Sequence, residues 1–404
     1  MTTFVVFTLF RTDNPYSSIS LSMAQELAKT NPVIYVNHPY SLKDILSGIK
    51  TGDKVLKQRL WSLLTFQNRY ETVNTIPNNF IAVQPPATLP INWLPDGVTY
   101  RFLQGINNAI VANSIQKALK KQQTTEFVYI NCFDPFFLGC LPKRMNAKMS
   151  IYHCIDDISQ NAYTARHGER LENEAIAQSD LTFVTSTNLY TLKKPFTQKI
   201  VTYFNAADVN NFKKVLTEKY PVPEELKGRT GKVIGFVGNL DELRIDFPLL
   251  KKIALEHSDK TLLLVGPLNS TEPAAIGLDK LPNVVWAGSR RLQELPPLLQ
   301  YMDVVLIPFL KNTLTKSIYP LKINEYLAAG KPVIATSFSD DIRTFAHCAY
   351  IANNTDDFVQ YIDQAIAENS PEKINQRTAT AATNTWEARI QDLHKLIEQY
   401  QPNG

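Results

Sequence analysis

Residues 319–336 read YPLKINEYLAAGKPVIAT. Pro320 suits the first helical position, where its missing N–H costs nothing and its φ is already helical. Gly330 suits the C-terminal cap and Pro332 prevents continuation, so the pattern predicts a helix of about ten residues. The run that follows, PVIAT, is apolar, as a strand buried on both faces must be. A short helix delivered straight into such a strand is half of a βαβ unit. Lys322 falls in the first turn, where a cation opposes the helix dipole and the unpaired N–H groups. That placement makes sense if an anion binds at the helix start. Glu325 lies one turn on, on the same face, where a carboxylate behind a phosphate can accept hydrogen bonds from ribose hydroxyls. The plainer alternative is a surface Glu–Lys pair on a capped helix.

Outward from this stretch, apolar runs and amphipathic runs alternate along nearly the whole chain. The first half carries strand-like FVVFTLF, PVIYVNH, FIAVQ, FVYINC, MSIYHCI, LTFVTS and IVTYF; the second carries KVIGFVGN, TLLLVGP, NVVWAGS, DVVLIPF, KPVIATS and AYIAN. Apolar strands separated by helices mean parallel sheets covered on both faces. The pattern restarts after EKYPVPEELKGRTGK at 218–232. The expectation is an α/β chain of two tandem Rossmann-like, doubly wound domains, residues 1–215 and 216–384, facing a central cleft. The last helix, at 385–404, carries one apolar stripe (Trp386, Ile390, Leu393, Leu396, Ile397, Tyr400) and either packs on the second domain or crosses back to the first. Residues 42–66, basic with a Trp and several Leu, read as an interfacial membrane helix or as a surface helix covering the first sheet.

Composition narrows the function classes. The chain has 404 residues, 44% hydrophobic and 20% charged, which describes a globular protein of more than one core. No apolar run approaches the ~20 residues that span a bilayer, and the N-terminus lacks the basic region and cleavage site of a signal peptide. Cys132, Cys140, Cys154 and Cys348 show no metal-finger spacing and read as free thiols of a reducing cytosol. Residues 1–215 hold 22 Lys and Arg against 15 Asp and Glu, the remainder 20 against 23. A basic first half without a recognition-helix motif suits an anionic membrane surface or ligand and excludes duplex nucleic acid as the expected partner. Localisation follows as cytoplasmic, at the inner face of the plasma membrane.

Other features join the opening helix. The loop FLKNTLTKS before it is rich in Lys, Thr and Ser, as a phosphate loop would be. GFVGNLDELRID opens the second domain with Gly235 and Gly238 around a strand end, where backbone can approach a ligand, and Arg244 adds a second cation.

These residues resemble the GT-B glycosyltransferases of the group 1 kind, which transfer sugars from nucleotide-sugars. YPLKINEYLAAGKPVIAT looks like that family's donor-binding helix and strand, and VIGFVGNLDELRIDFPLL like its first strand and loop. PNVVWAGSRRLQELPPLLQYMDVVLIPF is similar to the segment that holds the nucleobase and leads to the phosphate loop. VTYFNAADVNNF resembles the interdomain linker, with Ala206 where glycine is common. SIYHCIDDIS looks like the first-domain strand and acidic pair of a bacterial surface-polysaccharide branch. The resemblance implies donor binding by Gly238, Asn239, Arg244, Ser317, Tyr319, Lys322 and Glu325. Many retaining members carry two glutamates separated by seven residues; Glu325 matches the second and Ser317 stands at the first. This departure leaves the ribose role intact and leaves open how the sugar is held and whether its configuration is retained.

The chemistry implied is departure of a nucleoside diphosphate from an oxocarbenium-like centre. No Asp-x-Asp is present, so no metal or other cofactor is expected; Lys322, Arg244 and the helix start would neutralise the leaving group. The donor is expected to be a UDP- or GDP-sugar and the acceptor a glycan or lipid-linked saccharide. His153, Asp156 and Asp157 are the candidate acceptor-activating groups, with Asp157 as a helix cap and His153 as packing the alternative. Asn14, Ser17 and Ser18 line the acceptor side or cap the following helix. Two other functions fit the same architecture: a non-hydrolysing sugar-nucleotide epimerase, and an inactive sugar-nucleotide-binding protein.

Overall fold

The structure, a computed structural model, describes residues 2–13, 18–65, 67–71, 79–160 and 162–401. The chain divides into two compact units: Met1–Thr185 with Leu189–Tyr203 and Ile390–Gly404, and Ser186–Asn188 with Phe204–Arg389.

The first unit is built on β1 (Thr3–Thr8), β2 (Val33–Val36), β3 (Arg69–Glu71), β4 (Phe80–Gln84), β5 (Phe127–Cys132), β6 (Met149–Cys154), β7 (Leu181–Val184) and β8 (Ile200–Thr202). They form one sheet in the order β3-β4-β2-β1-β5-β6-β7-β8. Every pairing is parallel except β3 with β4. In register, Val5 of β1 sits between Ile34 of β2 and Tyr129 of β5. All six residues of β1 are buried, which is why its sequence shows no polar alternation. Strand order reverses between β1 and β5, and the crevice outside the carboxyl ends of the strands there is where such sheets take ligands. The antiparallel β3 was invisible in the sequence, because three residues reading Arg-Tyr-Glu carry no β signature.

The second unit holds β9 (Val233–Val237), β10 (Leu240–Asp241), β11 (Thr261–Val265), β12 (Leu268–Asn269), β13 (Val284–Gly288), β14 (Val304–Ile307), β15 (Val333–Thr336) and β16 (Tyr350–Ala352). Six of them form a parallel sheet in the order β13-β11-β9-β14-β15-β16, while β10 and β12 pair separately. Its reversal falls between β9 and β14. Leu262, Leu263, Leu264, Val304, Val305 and Ile334 are fully or almost fully buried, each worth about 1.5–3 kcal/mol of burial.

Three boundaries differ from the sequence reading. The second unit begins at Phe204, not 216, because Phe212 and Val215 of helix Val209–Thr217 join its core. The terminal helix Trp386–Tyr400 is shared: Trp386 belongs to the second unit, and from Ile390 onward it belongs to the first, where His394 meets the ring of Phe4 edge-on at 5.9 Å. The described residues of the 42–66 stretch form not one helix but two, Leu42–Thr51 and Lys54–Leu64, separated at Gly52.

Candidate active site

In the second unit the helix of the opening stretch runs Leu321–Ala328, and Pro320 is its N-cap in extended conformation. It is therefore one residue later and shorter than proline placement alone implied. Gly330 ends it at φ +68; a Cβ there would sit 3.0 Å from Ile374 and 3.2 Å from Leu216. The first-turn N–H groups of Leu321 and Lys322 have no acceptor among the described residues.

Tyr326 fixes this helix to β9. Its hydroxyl accepts from the Val237 N–H at 2.9 Å and lies 3.3 Å from the Val237 carbonyl. One turn earlier on the same face, Lys322 reaches over Gly238, directly after β9. A Cβ on Gly238 would lie 2.2 Å from Lys322 Cε, and its φ of +152 belongs to glycine. Gly238 thus admits Lys322 to the strand end.

Glu325 is buried and Lys322 half-buried, yet among the described residues neither side chain forms an ion pair or a hydrogen bond. Burial pushes the Lys322 ammonium below the ordinary lysine range; Glu325 opposes that and nearby Arg244 adds to it. Burial likewise raises the Glu325 carboxyl, with Lys322 opposing and Asp208 assisting. Ionisable groups held out of water without a partner are costly unless a ligand completes them.

The loop after β9 is organised by Asp241. It accepts from Arg244 Nη1 at 2.9 Å, Asn239 Nδ2 at 2.9 Å and the Leu243 N–H at 3.1 Å. Asn239 also accepts from Asn269 at 2.7 Å. Arg244 keeps about a third of its side chain exposed, so Asp241 aims it without burying it. Ser317 is fully buried and its hydroxyl accepts from Asn188 at 2.9 Å. Tyr319 stacks on Phe204 at 4.8 Å and its hydroxyl accepts from Asn324. The hydroxyls of Ser317 and Tyr319 are thus engaged by neighbouring side chains, whereas the charged groups of Lys322 and Glu325 are not.

In the first unit, His153 lies on β6, 1% exposed, with both ring nitrogens unpartnered and the rings of Phe183 and Tyr203 edge-on at 6.0 and 5.8 Å. Asp157 accepts from the Ser159 N–H and hydroxyl at 3.1 and 2.7 Å and from Gln160 at 3.1 Å, the pattern of a cap on the turn that follows. Asp156 is half-buried beside it, its carbonyl facing the Cys154 thiol. Ser18 caps helix Ile19–Leu27; Asn14 and Ser17 lie outside the described residues.

Sequence reading missed a closer pair. His38 follows β2, Asp134 follows β5, and His38 Nδ1 stands 2.6 Å from Asp134 Oδ2. The signal available was position: each is a polar residue at the carboxyl end of a strand beside β1.

Residues 231–368 match the family model described as Glycosyl transferases group 1. A Bacillus subtilis protein named for a glycosyltransferase of teichuronic acid biosynthesis, TuaH, is 29% identical over 203 residues, 49% of this chain and 50% of the relative. The chain thus spans about half the length of that curated relative. Among solved structures, the fold is similar to the trehalose 6-phosphate synthase of Burkholderia multivorans (TM-score 0.68, 8% identity, 99% of each chain). It is also similar to the sucrose-phosphate synthase of Thermosynechococcus elongatus (0.68, 14%, 99% of each). Anabaena HepE, solved with UDP and glucose, aligns at 0.63 with 15% identity over 98% of this chain and 99% of that one. The second unit is a group 1 glycosyl transferase domain, and the chain carrying it has the two-domain GT-B fold.

Proposed function

We propose that the protein is a glycosyltransferase that moves a sugar from a UDP- or GDP-sugar to a glycan or lipid-linked acceptor in bacterial surface-polysaccharide synthesis, without a metal. The observation that carries this reading is the unpartnered Lys322 and Glu325 at the head of one helix, beside Gly238 and near Arg244. Two cations and free first-turn amides suit a diphosphate, and Glu325 suits the ribose hydroxyls. Lys322 and Arg244 supply the charge that a metal would otherwise bring to the leaving group. The TuaH relationship supports the polysaccharide assignment. The test is nucleoside diphosphate release from a panel of nucleotide-sugars in excess EDTA; release by the wild type supports the reading, and none with any donor sinks it. Glu325→Ala should weaken nucleotide binding by roughly ten- to a hundredfold, the loss of a charged acceptor worth about 1.5–3 kcal/mol. Unchanged affinity in calorimetry would make Glu325 a packing residue.

The first unit supplies a membrane-facing surface in this proposal, at the inner leaflet. On helix Leu42–Thr51, Leu42, Leu46 and Ile49 are exposed beside Lys43 and Lys50, and on helix Val98–Lys121 Val98, Phe102 and Ile106 are exposed at four-residue spacing. Trp61 is 78% exposed. The apolar stripe of helix Leu42–Thr51, with Lys43 and Lys50 beside it, suits an anionic lipid surface. Among the described residues no helix is long and apolar enough to cross a membrane. Cosedimentation with phosphatidylglycerol vesicles should exceed that with phosphatidylcholine vesicles. Leu46→Ser with Trp61→Ser should weaken it by about tenfold or more, since each buried side chain contributes about 1.5–3 kcal/mol. Equal pelleting of variant and parent would remove this surface from the proposal.

A further inference from the structure

We propose that Asn269, on the loop after β11, is a positioning residue for Arg244: acting through Asn239 and Asp241, it sets the direction in which that guanidinium meets the diphosphate of a nucleotide-sugar. The inference rests on the donor-site reading above. Among the described residues Asn269 makes no hydrogen bond to Arg244; three bonds in series join them. Asn269 Nδ2 donates to Asn239 Oδ1 at 2.7 Å, Asn239 Nδ2 donates to Asp241 Oδ2 at 2.9 Å, and Arg244 Nη1 donates to the same Oδ2 at 2.9 Å.

Chemistry fixes the sense of this chain of bonds. An ionised carboxylate only accepts, so Asn239 must turn its nitrogen toward Asp241 and its oxygen away. That oxygen needs a donor, and the Asn269 nitrogen supplies it. Turning either amide over would set like atoms against each other. The backbone holds the partners in range. Leu240 and Asp241 of β10 pair in parallel register with Leu268 and Asn269 of β12. The Leu240 N–H donates to the Pro267 carbonyl at 2.9 Å and the Gly238 N–H to the Val265 carbonyl at 2.8 Å. The two loops approach so closely that a Cβ on Gly266, at φ +141, would lie 1.8 Å from the Gly238 oxygen.

Arg244 needs such a relay because it is the looser of the two donor-site cations. Lys322 is seated on a helix against Gly238, whereas Arg244 keeps 35% of its side chain exposed. An ion pair so open to water holds a long side chain weakly. Asp241 is buried, with its other oxygen on the Leu243 N–H at 3.1 Å. With its Oδ2 also held by Asn239, and Asn239 by Asn269, the carboxylate offers Arg244 one direction. The range of the guanidinium is then narrowed before a ligand arrives, and less ordering remains for binding to impose. Asn239 and Asn269 are both exposed, so alanine at either removes the relay without emptying the core. A second bond between the same loops, from the Ser270 hydroxyl to Glu242 at 3.1 Å, bypasses the Asp241 carboxylate. It separates aiming of Arg244 from general stiffness of the loops.

The test is a double-mutant cycle on the full chain, read by calorimetry with UDP and GDP. If the wild type binds neither, the donor-site reading fails and the proposal falls with it; the outcomes that follow apply to a wild type that binds. Asn269→Ala should weaken binding by about threefold or more, the scale of one hydrogen bond, and Arg244→Ala by about tenfold or more. On the Arg244→Ala background, Asn269→Ala should weaken it by less than about twofold further, because a residue that acts only through Arg244 has nothing left to aim. Ser270→Ala should leave affinity within about twofold of wild type. A residue that merely stiffened the loops would give additive losses and would share its effect with Ser270. The proposal alone is overturned by a loss of less than about threefold in Asn269→Ala, by a smaller loss in Arg244→Ala than in Asn269→Ala, by a further loss of about twofold or more in the double variant, or by Ser270→Ala losing as much as Asn269→Ala.

Discussion

Lys322→Ala is expected to lower turnover by about two to four orders of magnitude with a much smaller change in nucleoside diphosphate affinity. The reason is when the charge matters. In the bound donor the diphosphate carries its negative charge partly masked by the sugar ester; as the anomeric bond breaks, a full extra charge develops on the leaving oxygen. A cation already in place and partly shielded from water stabilises that change with little reorganisation. Lys322 is so placed: Tyr326, one turn away, ties its helix to Val237, and the missing Cβ of Gly238 makes its room. Its environment pulls the ammonium in two directions, burial and Arg244 favouring the neutral form and Glu325 the charged one. An arriving diphosphate adds to the side of Glu325, so binding and protonation of Lys322 reinforce each other. Lys322→Gln, of similar length without charge, should behave like alanine. Calorimetry with UDP and GDP beside single-turnover transfer separates the two effects. A variant that loses binding as steeply as turnover would show Lys322 to be a ground-state anchor instead.

Some of this site was legible because its logic is local. Lys322 and Glu325 lie on one helix, where helical period alone relates them, and Pro320 and Gly330 mark its two ends. The strands were legible because a parallel sheet covered on both faces demands runs such as TLLLV and VVLI, which little else in a chain explains. Where the outcome depended on long-range packing, sequence was silent. Nothing in FVGN reveals that Gly238 must make way for a lysine over eighty positions further on. Nothing local distinguishes a boundary at 216 from one at Phe204, because that turns on which core Phe212 and Val215 enter. His38 and Asp134 are far apart in sequence and meet only because β2 and β5 both flank β1. The acidic run at 156–157 drew attention instead, since adjacent carboxylates look like chemistry whether or not one of them is capping a turn.

His153 should make the first unit lose stability as the pH falls. Its ring is 1% exposed, both nitrogens lack partners, and the rings around it are Phe183 and Tyr203. Burial pushes its pKa down from 6.5 to about 4. Between these values the unfolded chain takes up a proton that the folded chain refuses. The stability tied to neutral His153 is therefore complete above about pH 6.5 and is lost progressively as the pH falls toward 4. A gap of this size corresponds to roughly 3 kcal/mol across the window. His153→Phe, which keeps an aromatic ring and removes the titration, should flatten that part of the profile. Urea unfolding of both proteins at pH 7 and again near pH 4.5 tests it: the wild type should lose more than the variant by up to that amount. Parallel losses would mean that other groups carry the acid sensitivity. A histidine enclosed in this way stays neutral at physiological pH.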